Sequence, residues 1–161
     1  MMQKKVQIIS DGSLDLSQEL TKEKDIEVVP FYVSFDSETY QKEMVEVGVR
    51  EFYQEMVDHP TVFPKTSMPS VHDYYEVFEK HAKEQLPVIC ICITRKFSGS
   101  LQSATTAKDM ILEEYPDAQI TVIDSTVNTV LQGLYVLEAC RLRDMGLEYQ
   151  QIVDALLPIR E

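Results

Sequence analysis

The sequence is poor in the residues that build disulfide frameworks, metal sites and nucleic-acid surfaces. Its three cysteines are a small and odd number, so we predict no disulfide framework. Cys90 and Cys92 stand two residues apart in the apolar run LPVICICI, so in a strand both point to one face, and we interpret them as buried small hydrophobic residues. The three histidines, His59, His72 and His81, lack the spacing of metal ligands, and we predict no metal and no cofactor.

Basic residues are also scarce, with 15 lysines and arginines against 27 acidic residues and a net charge of −12. This balance argues against nucleic acid or an anionic membrane as a partner, because both require a basic surface. Lys65, Arg95 and Lys96 stand beside hydroxyl-rich loops, so the sequence does not exclude a local positive pocket. No apolar run approaches the ~18 residues of a membrane span, and the first residues lack the apolar stretch of a signal peptide, so we expect a cytoplasmic location.

Apolar periodicity alternates between strand and helix along the chain. We predict strands at 5–10, 28–35, 39–41, 88–93 and 119–123, with Pro30 weakening the first half of the second. We predict helices at 17–24, 49–56, 70–82, 101–112, 129–145 and 148–157, with Ser70 and Asp73 as a capping box and 61–69 as a loop. This alternation predicts an α/β fold, a mainly parallel sheet flanked by helices, in one domain over 1–161.

Hydroxyl residues follow several predicted strands. They lie in SDGS (10–13), TRKFSGS (94–100) and DS (124–125), and in the loop PKTSMPS (64–70). Ligands of open parallel sheets bind where the strands end, and hydroxyls with free N–H groups at helix starts form neutral sites for a carboxylate or phosphate. The same residue types are also favoured as plain helix caps, so capping alone stays an alternative. We expect Ser100 in particular to cap the helix after SGS.

Nucleophilic catalysis is the alternative that makes this chain an enzyme. Ser98 lacks the GxSxG context, and no histidine stands in a comparable strand-end loop to act as its base. Neither the P-loop pattern nor GxGxxG occurs. Asp11 has two interpretations, as an acceptor for a metal or substrate and as the organiser of the turn before the first helix. We therefore predict no enzyme, and keep a small enzyme acting on a phosphate or carboxylate ester as the alternative.

Six short motifs, in this order and at these spacings, resemble the DegV-like fatty-acid-binding proteins. They are DGSLDL (11–16), VVP (28–30), EFY (51–53), TSMPS (66–70), SGSLQSA (98–104) and VIDS (122–125). The resemblance covers nearly the whole chain. It implies a binding protein that holds one long-chain fatty acid in a buried tunnel and presents it to a separate fatty acid kinase subunit.

The resemblance also implies the site. The fatty-acid carboxylate would be bound by Thr66 and Ser98, the counterparts of the family's threonine and serine. We add Ser67, Gly99 and Ser100 as further ligand-binding candidates, and Asp11, Ser13 and Ser125 as residues that support the site from behind.

The chain departs from the family pattern in four places. Ser100 replaces a threonine, Leu131-Gln132-Gly133 keeps one glycine of a GxG pair, and Gln41-Lys42-Glu43 stands where an Asp-Gly pair is expected. Family members also carry a second domain of similar length, which this sequence does not include. Its absence would leave apolar surface exposed, so we expect a homodimer, or weak and incomplete lipid binding. A lipid-free interaction module that keeps the fold is a third interpretation.

Overall fold

The computed structural model describes residues 5–160, which form two sheets and six α-helices. The strands are β1 Gln7–Asp11, β2 Ile26–Val29, β3 Tyr32–Ser34, β4 Gln41–Lys42, β5 Lys65–Ser67, β6 Val88–Cys92 and β7 Ile120–Asp124. The helices are α1 Gln18–Glu23, α2 Val49–Asp58, α3 Val71–Lys83, α4 Ser100–Glu114, α5 Thr129–Asp144 and α6 Tyr149–Leu156, with 3-10 turns at Gly12–Leu14 and Leu157–Arg160. Within this range no helix has the length and apolar character needed to cross a membrane.

The larger sheet is parallel, with four strands in the order β2-β1-β6-β7. Strand β6 pairs with β1 and β7, and all its residues are buried, as its apolar composition on both faces predicts for a central strand. On one face of the sheet Ile89 packs with Val136 of α5, and on the other Cys90 and Cys92 pack with Phe78 of α3. The predicted α/β fold with a mainly parallel, helix-flanked sheet is confirmed, as is the burial of both cysteines on one face.

The smaller sheet is antiparallel, in the order β4-β3-β5, and corrects two predictions. The stretch 28–35 is not one strand, because β2 ends at Val29 in the larger sheet and β3 begins at Tyr32 in the smaller one. Pro30 lies between them and lacks the N–H that would continue a ladder. The predicted loop 61–69 contains β5, which pairs with β3. Lys65–Ser67 is exposed along its length, so no apolar pattern marks it as a strand.

Most helix ends follow the sequence. The Ser70 hydroxyl and the Asp73 carboxylate form the predicted capping box of α3. The Ser17 hydroxyl caps α1 by accepting from the Leu20 N–H at 3.2 Å. Gly146, just after α5, has φ of +88°, the conformation for which glycine is favoured at a helix C-terminus.

Two backbone positions concern the glycines that the resemblance leads us to expect near residues 41–43 and 131–133. Met44 has φ of +61°, so the left-handed conformation that favours glycine falls just after Glu43 and is adopted by a methionine. Gly133 is retained where it is needed: a Cβ there would lie 2.4 Å from the carbonyl oxygen of Leu14. Helix α5 therefore packs against the turn after β1 only because residue 133 has no side chain.

Candidate functional site

The carboxylate of Asp11 is the centre of a buried polar cluster at the carboxyl edge of the parallel sheet. Its Oδ2 accepts from the Ile93 N–H at 2.9 Å and from the Ser100 hydroxyl at 2.8 Å. Its Oδ1 accepts from Nε2 of Gln132 at 2.8 Å and lies 2.7 Å from the Ser13 hydroxyl. Asp11 itself is fully buried. One side chain thus joins the end of β1 to the end of β6, the start of α4 and the start of α5.

Ser100 belongs to this cluster and is fully buried. Its hydroxyl donates to Asp11 and accepts from the Tyr74 hydroxyl, whose oxygen lies 2.6 Å away. Burial raises the pKa of Tyr74 well above its ordinary value, so the phenol keeps the proton that it donates. We call Asp11, Ser13, Tyr74, Ser100 and Gln132 the Asp11 cluster.

The cap of α4 differs from the expectation. Gly99 is the N-cap residue, and the Ser98 oxygen, rather than that of Ser100, accepts a helix N–H, that of Ser100 at 3.1 Å. Ser100 was the wrong candidate because its hydroxyl faces inward to Asp11. The Ser98 hydroxyl proton has no acceptor among residues 5–160. The first turn of α4 carries no acidic residue of its own, and the Asp11 carboxylate bonded to Ser100 is the negative group at this helix start.

Thr66 and Ser67 lie on opposite faces of the smaller sheet, because successive side chains of a strand alternate. Thr66 pairs with Val33, and Ser67 pairs with Tyr32. The Tyr32 hydroxyl donates to Asp73 of α3 at 2.8 Å, so the Ser67 face is turned to α3. The Thr66 hydroxyl has no hydrogen-bond partner in the described part of the chain. We call Thr66 and Ser98 the open hydroxyl pair.

The two segments that carry the open hydroxyl pair, β5 with the residues after it and the loop before α4, are in contact. A Cβ at Gly99 would lie 2.7 Å from Sδ and 3.1 Å from Cε of Met68. The motifs TSMPS and SGSLQSA, separate in sequence, therefore meet through Met68 and Gly99. The absence of a side chain at Gly99 is what permits this approach.

A cavity of about 600 Å³ lies between α1, α2 and the smaller sheet. We call it the α2 chamber, and its walls include Leu16, Val33, Glu43, Val47, Phe52 and Tyr53. Its volume is typical of small-molecule sites and its walls are mostly apolar. Thr66 and Ser98 are not among its wall residues, but Val33, the strand partner of Thr66, is. The chamber therefore begins on the face of the smaller sheet that carries Thr66.

Ser125 supports the loop after β7. It is buried, its N–H donates to the Cys92 carbonyl at 3.0 Å, and its hydroxyl donates to the Val127 carbonyl at 3.0 Å. These bonds hold the start of the loop against the end of β6. Among the three residues predicted to support the site, Asp11 and Ser13 lie in the Asp11 cluster, and Ser125 closes a neighbouring turn.

Sequence reasoning missed two members of the Asp11 cluster. Gln132 is fully buried, and a polar residue within the otherwise apolar stretch VLQGLYV is the signal that could have identified it. Tyr74 is buried on α3, and the contact of its hydroxyl with Ser100 could not be placed from the sequence.

The histidines are engaged with glutamates. His59 pairs with Glu55 at 2.9 Å, His72 with Glu76 at 3.4 Å and His81 with Glu27 at 2.5 Å. Among residues 5–160 no histidine contacts a serine hydroxyl, and no group of three potential metal ligands occurs. Ser98 thus has no histidine base within this range.

Comparison with known proteins identifies relatives. Residues 5–161 match the family model described as "Uncharacterised protein, DegV family". A DegV domain-containing protein of Clostridium acetobutylicum is 33% identical over 153 residues, which cover 95% of this chain and 53% of that protein. One of Halalkalibacterium halodurans is 35% identical over 158 residues, covering 98% and 54%. This chain spans about half the length of these curated relatives.

Two solved structures extend the comparison to ligands. A fatty-acid (stearic acid)-binding protein of Eubacterium ventriosum superposes with a TM-score of 0.89 at 46% identity, covering 94% of this chain and 52% of that one. A fatty-acid-binding DegV family protein of Thermus thermophilus superposes with a TM-score of 0.79 at 29% identity, covering 97% and 53%. Both share the parallel-sheet fold described above.

Proposed function

We propose, from the premise that this chain belongs to the DegV family, that it binds a long-chain fatty acid whose carboxylate is held by Thr66 and Ser98. The observation that carries the proposal is the open hydroxyl pair. Two hydroxyls whose protons have no acceptor among residues 5–160 stand on two segments that contact each other, and Ser98 stands just before a helix whose first turn has no acidic residue of its own. An oxyanion is the ligand that such donors satisfy best.

The remaining candidates take different roles in this proposal. Gly99 permits the contact with Met68, and the free N–H groups of the first turn of α4 add donors. Ser67 contributes through its backbone, since its side chain lies on the other face of the sheet. Ser100 positions the site from the Asp11 cluster, with Asp11 and Ser13, and does not touch the ligand.

The acyl chain supplies most of the affinity. Each methylene removed from water contributes about 0.8 kcal/mol, while one hydroxyl bond to the carboxylate contributes about 1 kcal/mol or somewhat more because the acceptor is charged. Val33 lies between Thr66 and the α2 chamber, so a chain anchored at Thr66 reaches an apolar space directly along the sheet face. We therefore propose that the α2 chamber receives the acyl chain.

Exposed apolar side chains lie beside the proposed site. Phe97 at the site is exposed, as are Val130, Leu131 and Leu134 along the start of α5. An apolar surface of this kind marks an interface. We propose that a second domain or a second copy of this chain covers it, and that a fatty acid kinase subunit in the cytoplasm receives the ligand.

The experiment that tests the function is mass spectrometry of an organic extract from the purified protein. A long-chain fatty acid in stoichiometric amount supports the carrier. Protein that is lipid-free and does not take up added oleate refutes it for this chain and favours the interaction module. Size-exclusion chromatography with light scattering then determines whether lipid uptake accompanies dimer formation.

A further inference from the structure

Three acids, Asp15, Glu19 and Glu43, line the α2 chamber, and Glu43 is the one that is partly buried, while the other two are exposed. Glu43 follows β4, and its Oε1 accepts from the Phe31 N–H at 3.2 Å. The same oxygen covers Gly12, where a Cβ would lie only 1.9 Å from it. The carboxylate is therefore directed into the gap between the turn after β1 and the smaller sheet. This single N–H bond is its one hydrogen bond within residues 5–160, which leaves the other oxygen dependent on water.

The charges around Glu43 do not neutralise it. The titratable groups that line the chamber with Glu43 are Asp15, Glu19 and Tyr53, and Asp11 of β1 and the chain neighbour Lys42 stand beside it. The one cation in this set, Lys42, pairs with Asp73 at 3.3 Å on the α3 side of the sheet. Burial, with a smaller contribution from the charge of Asp11, raises the pKa of Glu43 above its ordinary value despite the Phe31 bond.

We propose that Glu43 couples ligand binding in the α2 chamber to proton uptake. When an acyl chain fills the chamber, the Glu43 carboxylate takes up one proton from solution. The inference rests on the proposed function, because it requires an apolar ligand. An acyl chain displaces the water that solvates the ionised carboxylate and offers no hydrogen bond in return, so the neutral acid is favoured in the complex.

The sign of the pH dependence follows from linkage. Because the complex holds the proton more tightly than the free protein, affinity is highest below the pKa of Glu43 in the free protein. The affinity falls as the pH rises from the pKa of Glu43 in the free protein to its pKa in the complex. The total loss is tenfold for each pH unit that separates these two pKa values. The carriers of the DegV family bind acids that titrate themselves, so a neutral ligand is needed to isolate this effect.

The test uses 1-dodecanol, which has an acyl-type chain and no titratable group. Calorimetric titration in two buffers of different ionisation enthalpy measures the protons taken up on binding. We expect uptake by the wild-type protein and an affinity that falls about tenfold between about pH 5 and about pH 8. In Glu43→Gln we expect no uptake and a flat pH profile.

The matched control is Glu51→Gln, which removes the same charge from an exposed position on α2 outside the chamber wall. It should keep the wild-type proton uptake. Dodecanol binding by wild type without pH dependence, or equal uptake by Glu43→Gln, overturns the role of Glu43 while leaving the carrier function intact. Failure of wild type to bind dodecanol and oleate at every pH overturns the carrier function, and this inference with it.

Discussion

The Asp11 cluster and the open hydroxyl pair differ in whether their hydroxyl groups find a hydrogen-bond acceptor. In the Asp11 cluster, the Ser100 hydroxyl donates to a buried carboxylate that also accepts from Ile93 and Gln132. In the open hydroxyl pair, the protons of Thr66 and Ser98 meet no acceptor in the described chain. The residue types are the same, but a satisfied buried group stabilises the fold, whereas an open one is available to a ligand.

The largest expected effect comes from breaking the Asp11 cluster. Asp11→Ala removes the shared acceptor and leaves the Ile93 N–H, the Ser100 hydroxyl and the Gln132 amide without it in the interior. We expect the free energy of unfolding to fall by about 3 kcal/mol or more. Urea denaturation measures it, with exposed Asp58→Ala as control. A loss below about 1 kcal/mol would show that Asp11 does not organise this edge.

The Ser100→Ala variant tests whether Ser100 acts as part of the Asp11 cluster or contacts the ligand as the open hydroxyl pair is proposed to do. It leaves Asp11 with one donor fewer and Tyr74 without its acceptor, so we expect a loss of about 1–2 kcal/mol in unfolding free energy. Affinity for oleate, measured by fluorescence displacement on protein that remains folded, should change less than about threefold. A large drop in affinity at unchanged stability would place Ser100 in direct contact with the ligand.

Substitutions in the open hydroxyl pair should reduce ligand affinity more than they reduce stability. Thr66→Ala and Ser98→Ala should each weaken oleate binding by about 1 kcal/mol or somewhat more, because the acceptor is charged. Thr66→Ala should leave stability within about 0.5 kcal/mol, while Ser98→Ala loses up to about 1 kcal/mol with its cap of α4.

The control for Thr66→Ala is its neighbour Ser67→Ala, which removes a hydroxyl from the opposite sheet face. It should bind oleate like wild type. Equal losses for both variants would contradict the assignment of the ligand to the Val33 side. An ester-hydrolysing turnover that disappears only in Ser98→Ala would favour the enzyme alternative instead.

The polar pair formed by Glu27 and His81 lies outside both groups and serves as a reference for a polar contact that should affect stability without affecting oleate binding. Burial opposes the ionisation of Glu27, but hydrogen bonds from His81 and Lys80 outweigh it and lower its pKa. A lowered carboxyl pKa adds stability above the unfolded value of about 4.5, and this is lost as pH falls through the folded value. Glu27→Gln should therefore lose about 1 kcal/mol at pH 7, and less in acid, without affecting oleate affinity. A pH-independent loss would contradict this.

The sequence predicts those features that depend on local pattern. The apolar run of β6 and the Ser70–Asp73 capping box follow from residue type and spacing alone, and both are confirmed. Strand β5 was missed because three exposed polar residues carry no periodicity, and their pairing depends on β3. The fold could therefore be predicted where an apolar pattern marks a strand or helix. It could not be predicted where a polar strand forms only by pairing with a strand distant in sequence.

The sequence proposes a set of candidate site residues, which stays a prediction, but it does not give their arrangement. The motifs bring Thr66, Ser98 and Ser100 together as candidates, yet the Ser100 hydroxyl turns inward to Asp11 and Tyr74, which stand far away in sequence. Glu43 carried no signal as a ligand-facing acid, since its approach to Gly12 arises from the packing of two separate turns.

The reach of Asp11 along the chain has a consequence for folding order. Its bonds to Ile93, Ser100 and Gln132 span 82, 89 and 121 residues. Loop closures of this length are slow relative to local structure, so the edge that carries the Asp11 cluster should be completed after the strands and helices that deliver its members. Amide hydrogen exchange at Ile93, followed during refolding, would time that last step, and the proposed carboxylate site would not be assembled before it.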